Sequence, residues 1–411
     1  MAMIAVIGGG AAGMMAAISA AEHGAEVVLF ERNPVLGKKV RITGKGRCNL
    51  TNACDTSEIF ENIPTNGSFL YSAIYSFTNF DAIDFFEHEG VKTKVERGER
   101  VFPVSDKASD IVDAMHNKIK ALNIKVVNKY IDSVIVKDKK VCGVKYGNTT
   151  FNSDSVIIAC GGKSYPVTGS DGSGYALARL CGHSITEIHP ALIPVETVED
   201  TSSLMGLSLR NVSVSVKNTQ GKKLYTGFGE MLITHFGLSG PLILSASSHM
   251  GRQPQGLEIE VDLKPALDEN KLDSRILRDF EKFKNKNFDN SLSELLPSKM
   301  IPYVIKRCKI DPFKKVNAIT KEERKILLDT VKHLTFTVKK YRPVEEAIVT
   351  SGGVNTKEIN SSTMESKLVE GLYFAGEVID VDAYTGGFNL QIAFSTGHLA
   401  GEKAAQREDI L

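Results

Sequence analysis

The stretch MIAVIGGGAAGMMAAISAAEHGAEVVLFE, residues 3–31, decides the fold. Its apolar run Met3–Ile7 predicts a buried strand, Gly8 to Gly13 a tight turn, and the Ala-rich segment up to Gly24 a helix. A second apolar run, Val27–Phe30, then ends on Glu31. Strand, glycine turn, helix, strand and acid in that order form the βαβ unit that grips the ADP half of a dinucleotide. In such a unit Gly8 permits the turn, Gly10 lets the backbone approach a pyrophosphate, and Gly13 lets helix and strand pack closely. The helix start at Ala11 and Ala12 presents free N–H groups to the phosphates. Glu31, 18 residues past Gly13, is placed to accept hydrogen bonds from a ribose diol.

The 411 residues predict two or three domains, and 42% apolar with 24% charged residues is the composition of an ordinary globular protein. A net charge of +1 gives no global reason to expect nucleic acid or an acidic membrane surface, so neither is expected as a partner. No uninterrupted apolar run approaches the ~18 residues of a membrane span. The apolar start lacks the basic residues of a signal peptide. Six cysteines show neither CxxC nor clustered Cys/His spacing, so no disulfide framework and no metal site are expected. A reducing, cytoplasmic setting follows from that reading.

Arg32 follows the acid, and then comes a basic, glycine-rich loop, GKKVRITGKGRCNLTN at 37–52, which holds Lys39 and Arg47. It leaves the carboxyl end of a Rossmann strand, where such sheets place their ligands. Residues 68–90 and 105–122 read as helices, the second capped by Ser105 or Asp106. Residues 91–103 read as two short strands and 131–146 as a hairpin. Ser155–Ala159 is another buried strand, running into Cys160-Gly161-Gly162. From 190 to 263 apolar and polar residues alternate as in half-exposed strands, and 264–340 is charged with helical period. Past 341 the α/β texture returns. The domains are therefore read as 1–189 and 341–411 for the dinucleotide domain, with a β-rich module at 190–263 and a helical one at 264–340.

That return selects the cofactor. Gly371–Phe374 is a late strand ending on Ala375-Gly376-Glu377, and Gly386-Gly387 opens a final helix through Phe388, Asn389 and Leu390. A flavin has a ribityl chain and three rings to hold, and proteins of the glutathione reductase type use a late strand and helix for them. The expected fold is thus an α/β Rossmann-like FAD-binding domain of that type, with an inserted barrel-like β-rich module and a small helical module. Glu31 disfavours a 2′-phosphate, so NADP is not expected at this site. No second glycine fingerprint appears, so NADH or NADPH is expected only as a transient co-substrate.

Four stretches resemble bacterial flavoproteins labelled aminoacetone oxidase family or bile-acid-inducible NAD(P)/FAD-dependent oxidoreductase. They are GGGAAG with the 37–52 loop, ACGG at 159–162, GEMLITHFGLSGP at 229–241, and TMESKLVEGLYFAGEVIDVDAYTGGFNLQIAFSTGHLAG at 363–401. The resemblance implies non-covalent FAD. Carried over by position, it puts the pyrophosphate on Gly8 to Gly13, the adenosine ribose on Glu31 and adenine on the backbone of Ile131. It also puts Ala159, Gly161 and Gly162 along the ADP portion. Arg47, Cys48 and Asn49 would lie near the flavin, and Gly376, Glu377, Gly387, Phe388, Asn389 and Leu390 along its ribityl and pyrimidine end. Two departures stand out: Ser173 where relatives often carry Asp, and Ala383 where Gly is common.

The expected chemistry is hydride transfer through the flavin, in an NAD(P)H-driven reductase of a small organic substrate such as a steroid-like enone. Two alternatives stay open: an aminoacetone-type amine oxidase producing peroxide, and a flavin-stabilised RNA-binding protein. A proton donor or acceptor is needed for catalysis, and Cys48, Tyr384 and His235 are the candidates because each sits in a glycine-rich stretch bordering the expected site.

Overall fold

The computed structural model describes residues 1–406. They form two compact units: Met1–Ala191 together with the chain from Val344 onward, and Leu192–Pro343.

In the first unit five strands make one parallel sheet, in the order Leu372–Phe374, Ser155–Ile158, Met3–Ile7, Glu26–Phe30 and Lys125–Val127. The inner strands are buried on both faces, which is why they read as continuous apolar runs. The helices Ala11–Glu22 and Phe388–Ala405 pack against each other through small residues. A side chain on Gly397 would put its Cβ 2.4 Å from the Ala12 carbonyl oxygen, and one on Gly401 would sit 2.3 Å from that of Ala16. The alanines of the first helix are therefore a packing surface for the last helix. Smaller sheets, 133–137/140–146/149–152 and 51–52/100–103/93–96, decorate this unit.

The second unit is a closed six-stranded barrel in the order 195–197, 237–239, 223–233, 208–217, 258–262 and 334–341. The helices Glu269–Lys282, Ile301–Cys308 and Lys321–Lys332 lie between its last two strands in sequence. Leu272, Ile276, Val304 and Leu327 share one apolar cluster with the barrel residues Val214, Ile259 and Phe336. The barrel-like and helical segments thus fold as one unit.

Several expected elements differ in detail. Leu334–Tyr341, expected within the helical segment that runs to 340, is a barrel strand in which buried Leu334, Phe336 and Val338 alternate with half-buried Thr335 and Thr337. The helix expected over 68–90 breaks at Phe77, and Thr78 caps a new helix, Asn79–His88, by a reciprocal hydrogen-bond pair with Asp81. In the segment 264–340, expected to be helical, residues 292–309 are α-helical only at Ile301–Cys308, after a short turn at Ser298–Met300. Asp106 is no helix cap: it pairs with Arg47 and Lys94, and the helix starts at Ala108.

Candidate functional site

Gly8 has φ +109°, and a Cβ there would lie 2.5 Å from the Ala159 carbonyl oxygen. A Cβ on Gly13 would lie 1.8 Å from the Gly8 carbonyl oxygen. The turn is therefore closed to side chains on its inner side. At Gly10 a Cβ would meet nothing within 4 Å, so the outer side is open. No side chain caps the helix that begins at Ala11, and the N–H groups of Ala11, Ala12 and Gly13 have no partner among the described residues. The last helix repeats this arrangement. Gly387 caps it at φ +105°, against the Thr51 carbonyl, and the N–H groups of Phe388, Asn389 and Leu390 are likewise unpaired among the described residues. Each such end carries about half a positive charge. Two helix starts in one unit thus offer six N–H donors to a ligand rich in phosphate and carbonyl oxygens.

Glu31 organises the turn from the side. Its Oε2 accepts from the Gly9 N–H at 2.7 Å, and its Oε1 accepts from the Asn33 backbone and side-chain amides, each at 2.7 Å. Oε2 keeps a lone pair for a ribose hydroxyl. Arg32 bridges to Asp171 at 2.7 Å and to the Gly169 carbonyl, which ties the 160–172 turn to the first strand pair. Gly161 faces Ser170, whose buried hydroxyl has no partner among the described residues, and neither has the buried Tyr175 hydroxyl. Ile131 is buried, and its backbone N–H and C=O make no hydrogen bond among the described residues. These orphaned groups fit the polar edge of a nucleotide.

At the other end, Glu377 is held by Lys39 at 2.7 Å, the Thr350 N–H at 2.8 Å and the Ser164 hydroxyl at 3.0 Å. Burial alone would raise its carboxyl. The Lys39 charge and these hydrogen bonds outweigh burial and hold it below the ordinary carboxylate range. One lone pair of Oε2 stays available for a ribityl hydroxyl. Gly162 packs against Thr350 and Glu377, Gly376 against Ala12, and the buried Phe388 ring against Gly386. Leu390 is half-buried. The Asn49 Oδ1 is buried without a partner among the described residues, which suits it to a ligand N–H. The residues present therefore fit FAD.

Three expectations are corrected. Cys48 exposes none of its surface, so no atom of it can touch a ligand, and burial pushes its thiol up to about 12. It cannot be the acid or base. Arg47 points away to a surface cluster, paired with Glu96 and Asp106 and stacked 4.2 Å over Phe102. The Asn389 side chain is held by the backbone, accepting from Ala383 at 2.9 Å and donating to the Ala383 and Tyr384 carbonyls at 2.7 and 3.3 Å, so its amide donors are spent and its backbone N–H is the donor left for a ligand.

Tyr384 fares better. It is half-buried in the turn leading to Gly387, and its own N–H is anchored on the Asn62 carbonyl. Burial, followed by the nearby Asp382 charge, raises its hydroxyl, so it keeps its proton at neutral pH. His235 is exposed in the second unit, between the strands Lys223–Ile233 and Gly237–Ser239. Sequence reasoning missed Ser164, Thr350, Ser170, Tyr175 and Asn33. All but Asn33 sit in segments far from the fingerprint, and no local spacing signals their role.

Among known proteins, the family described as HI0933-like protein Rossmann domain matches residues 2–403. The chain is 31% identical to a 3-dehydro-bile acid delta(4,6)-reductase of Clostridium scindens over 98% of its length and 99% of that protein's. It is equally 31% identical to a ribosomal RNA dihydrouridine synthase of Haemophilus influenzae, over 96% of each chain. A solved 3-ketosteroid-delta4-(5alpha)-dehydrogenase of Rhodococcus jostii RHA1 shares the fold, with a TM-score of 0.55 at 14% identity over 99% of this chain and 97% of that one. With a family match along nearly its whole length and relatives that it covers end to end, the chain belongs to the HI0933-like Rossmann family of FAD-dependent oxidoreductases.

Proposed function

We propose that this protein reduces a C=C bond conjugated to a carbonyl, with FAD held in the first unit and uridine in ribosomal RNA as its substrate. The bond class is common to both named relatives: a 3-keto-delta(4,6) steroid and the uracil C5=C6 bond are each alkenes activated by a carbonyl. One observation carries the choice of substrate. Residues 264–340 hold 19 Lys and Arg against 11 Asp and Glu, while the whole chain holds 50 against 49. The whole-chain balance of +1, which argued against nucleic acid, therefore conceals a basic segment of net +8. A polyanion is drawn to such a segment far more strongly than a steroid carrying one carboxylate. The small-enone reading rests on the Clostridium relative, and the test below separates the two.

Bound here and reduced by two electrons, FAD would supply hydride chemistry for the alkene carbon β to the carbonyl. The α-carbon takes a proton, and the two electrons used per turnover come from NADH or NADPH. The Gly8–Gly13 turn and Glu31 would bind the ADP half. Lys39 and Glu377 would orient the ribityl chain, and the Phe388–Leu390 N–H groups would stabilise negative charge at the pyrimidine edge. Tyr384 is the proton donor in this reading, because its hydroxyl stays protonated at neutral pH and it lies beside the Gly387 helix start.

The test is anaerobic. The purified flavoprotein is reduced with NADH or NADPH and then offered either an unmodified ribosomal RNA transcript or a 3-keto-4,6-diene steroid. Reoxidation of the flavin by the transcript, with a gain of two hydrogens on one uridine by mass spectrometry, is expected. Reoxidation by the steroid alone transfers the reading to small enones, and reoxidation only by oxygen sinks both. Y384F is expected to keep flavin reduction and lose about 10²-fold in product formation.

A further inference from the structure

We infer that RNA docks on the helical side of the second unit, along the helix Glu269–Lys282 and the adjoining segments 283–286 and 312–315. This rests on the RNA reading above. A groove of about 410 Å³ runs along that helix, and Lys271, Arg275 and Arg278 line it at helical spacing, together with Ser274. Over two turns, about 10 Å of helix, the same face thus presents three cations.

Not all of those charges are available. Lys271 is paired with Asp268 at 3.2 Å, and Arg275 with Asp279 at 2.8 Å. Arg278 makes no ion pair among the described residues. Lys264 is half-buried near Arg275, and burial followed by the Arg275 charge holds its ammonium below the usual range. A half-buried cation that faces another cation gains from an incoming anion.

The basic surface continues past the helix end, where it acquires aromatic rings. Lys286 sits 4.7 Å over the Phe283 ring, with no acidic partner among the described residues. The Phe288 N–H donates to the Lys314 carbonyl, which brings the segment 312–315 alongside. There Phe313 is 72% exposed, and Lys315 reaches only the Asn285 carbonyl among the described residues. Unpaired cations interleaved with one exposed ring, Phe313, and one half-buried ring, Phe283, suit single-stranded or looped RNA: phosphates take the charges and splayed bases stack on the rings. The basic 37–52 loop differs. Its Arg41 is bound to Asp113, its Arg47 to Glu96 and Asp106, and its Lys39 to Glu377, so three of its five cations are paired locally, and Lys38 donates to the Val167 carbonyl.

The experiment compares the intact flavoprotein with R278E/K286E/K315E and with F313A, binding a ribosomal RNA transcript at two salt concentrations. The wild type is expected to lose affinity steeply with salt. The triple variant is expected to bind at least tenfold more weakly, with a salt slope shallower by about one unit for each phosphate that is no longer neutralised. F313A is expected to lose about tenfold with its slope unchanged. Flavin content and reduction by NADH or NADPH are measured on the same preparations and should not move. The single exposed substitution R278Q carries the same test if the triple variant misfolds. Wild-type affinity and slope in the variants, or no RNA binding by the wild type, overturns the surface. Failed docking with intact reduction of a conjugated bond sinks this inference alone. Intact docking with no such reduction sinks the functional reading and leaves the surface standing.

Discussion

Glu377 shows how a single carboxylate can be both scaffold and ligand. It spends three of its four lone pairs on Lys39, Thr350 and Ser164, and those bonds join the last strand to the 37–52 loop and the 162–164 turn. The pair is about four-fifths buried, with the side chains of Lys39 and Glu377 exposed by 23% and 19%. K39M should leave Glu377 charged without a counterion and cost about 2–3 kcal/mol, somewhat less than for a fully buried pair. The double variant K39M/E377Q should recover part of that loss, because it removes the stranded charge as well. Urea titration of the three proteins checks this, and a double variant no more stable than the single one counts against it. The pH sign follows from the depressed carboxyl. Stability from Glu377 is fully present above the unfolded value near 4.3 and is lost as pH falls through the lower folded value. E377Q should therefore lose less of its stability on acidification.

Elements that announce themselves locally were legible, whereas those pinned over long distances were not. The Gly8–Glu31 unit, the 155–159 strand and the Gly387 helix each carry their signal within about two dozen residues or fewer, because glycine turns and apolar runs are local constraints. The excursion 355–371 carries no such signal. It is fastened by His183, whose Nδ1 lies 3.1 Å from Glu358 Oε2 and whose Nε2 lies 2.8 Å from Ser366 Oγ. Ser366 Oγ already accepts from the Leu368 and Val369 N–H groups, so both its lone pairs are filled and its proton must go to Nε2. The neutral Nδ1–H tautomer is thereby set, and a second ring proton would find no acceptor on Ser366. Burial lowers this histidine's affinity for protons, and the opposing pull of Glu358 does not overcome it. The unfolded chain takes up the proton as pH falls below about 6.5, while the folded one resists. Thermal stability should therefore decline from pH 6.5 downward. In H183Q that part of the decline should be missing, at a constant cost of about 1–3 kcal/mol for the disturbed network. Parallel slopes for the two proteins between pH 7 and 5 would rule the mechanism out.

At the scale of the whole molecule, composition concealed what distribution reveals. Fifty basic and 49 acidic residues look neutral, and the expectation of no nucleic-acid partner followed from that sum. Summation discards position, and the 264–340 excess falls in a single folded unit with its own core. The nucleotide fingerprint escaped this difficulty because its meaning lies in order and spacing. The contrast leads to a further prediction, which separates binding from chemistry. Raising salt from about 50 to 200 mM should depress turnover on a ribosomal RNA transcript by orders of magnitude at sub-saturating RNA, as expected for several released counterions. Flavin reduction by NADH or NADPH in the same protein should change far less, because it gains little from a polyanion's counterion release. The effect should lie in the concentration of RNA needed, with the saturated rate nearly unchanged, since phosphate interactions made equally in ground and transition states do not alter the chemical step. Steady-state kinetics at two salt concentrations reads both quantities. A saturated rate that collapses with salt while the RNA concentration required stays fixed would give those charges a part in the chemical step and refute a role confined to docking.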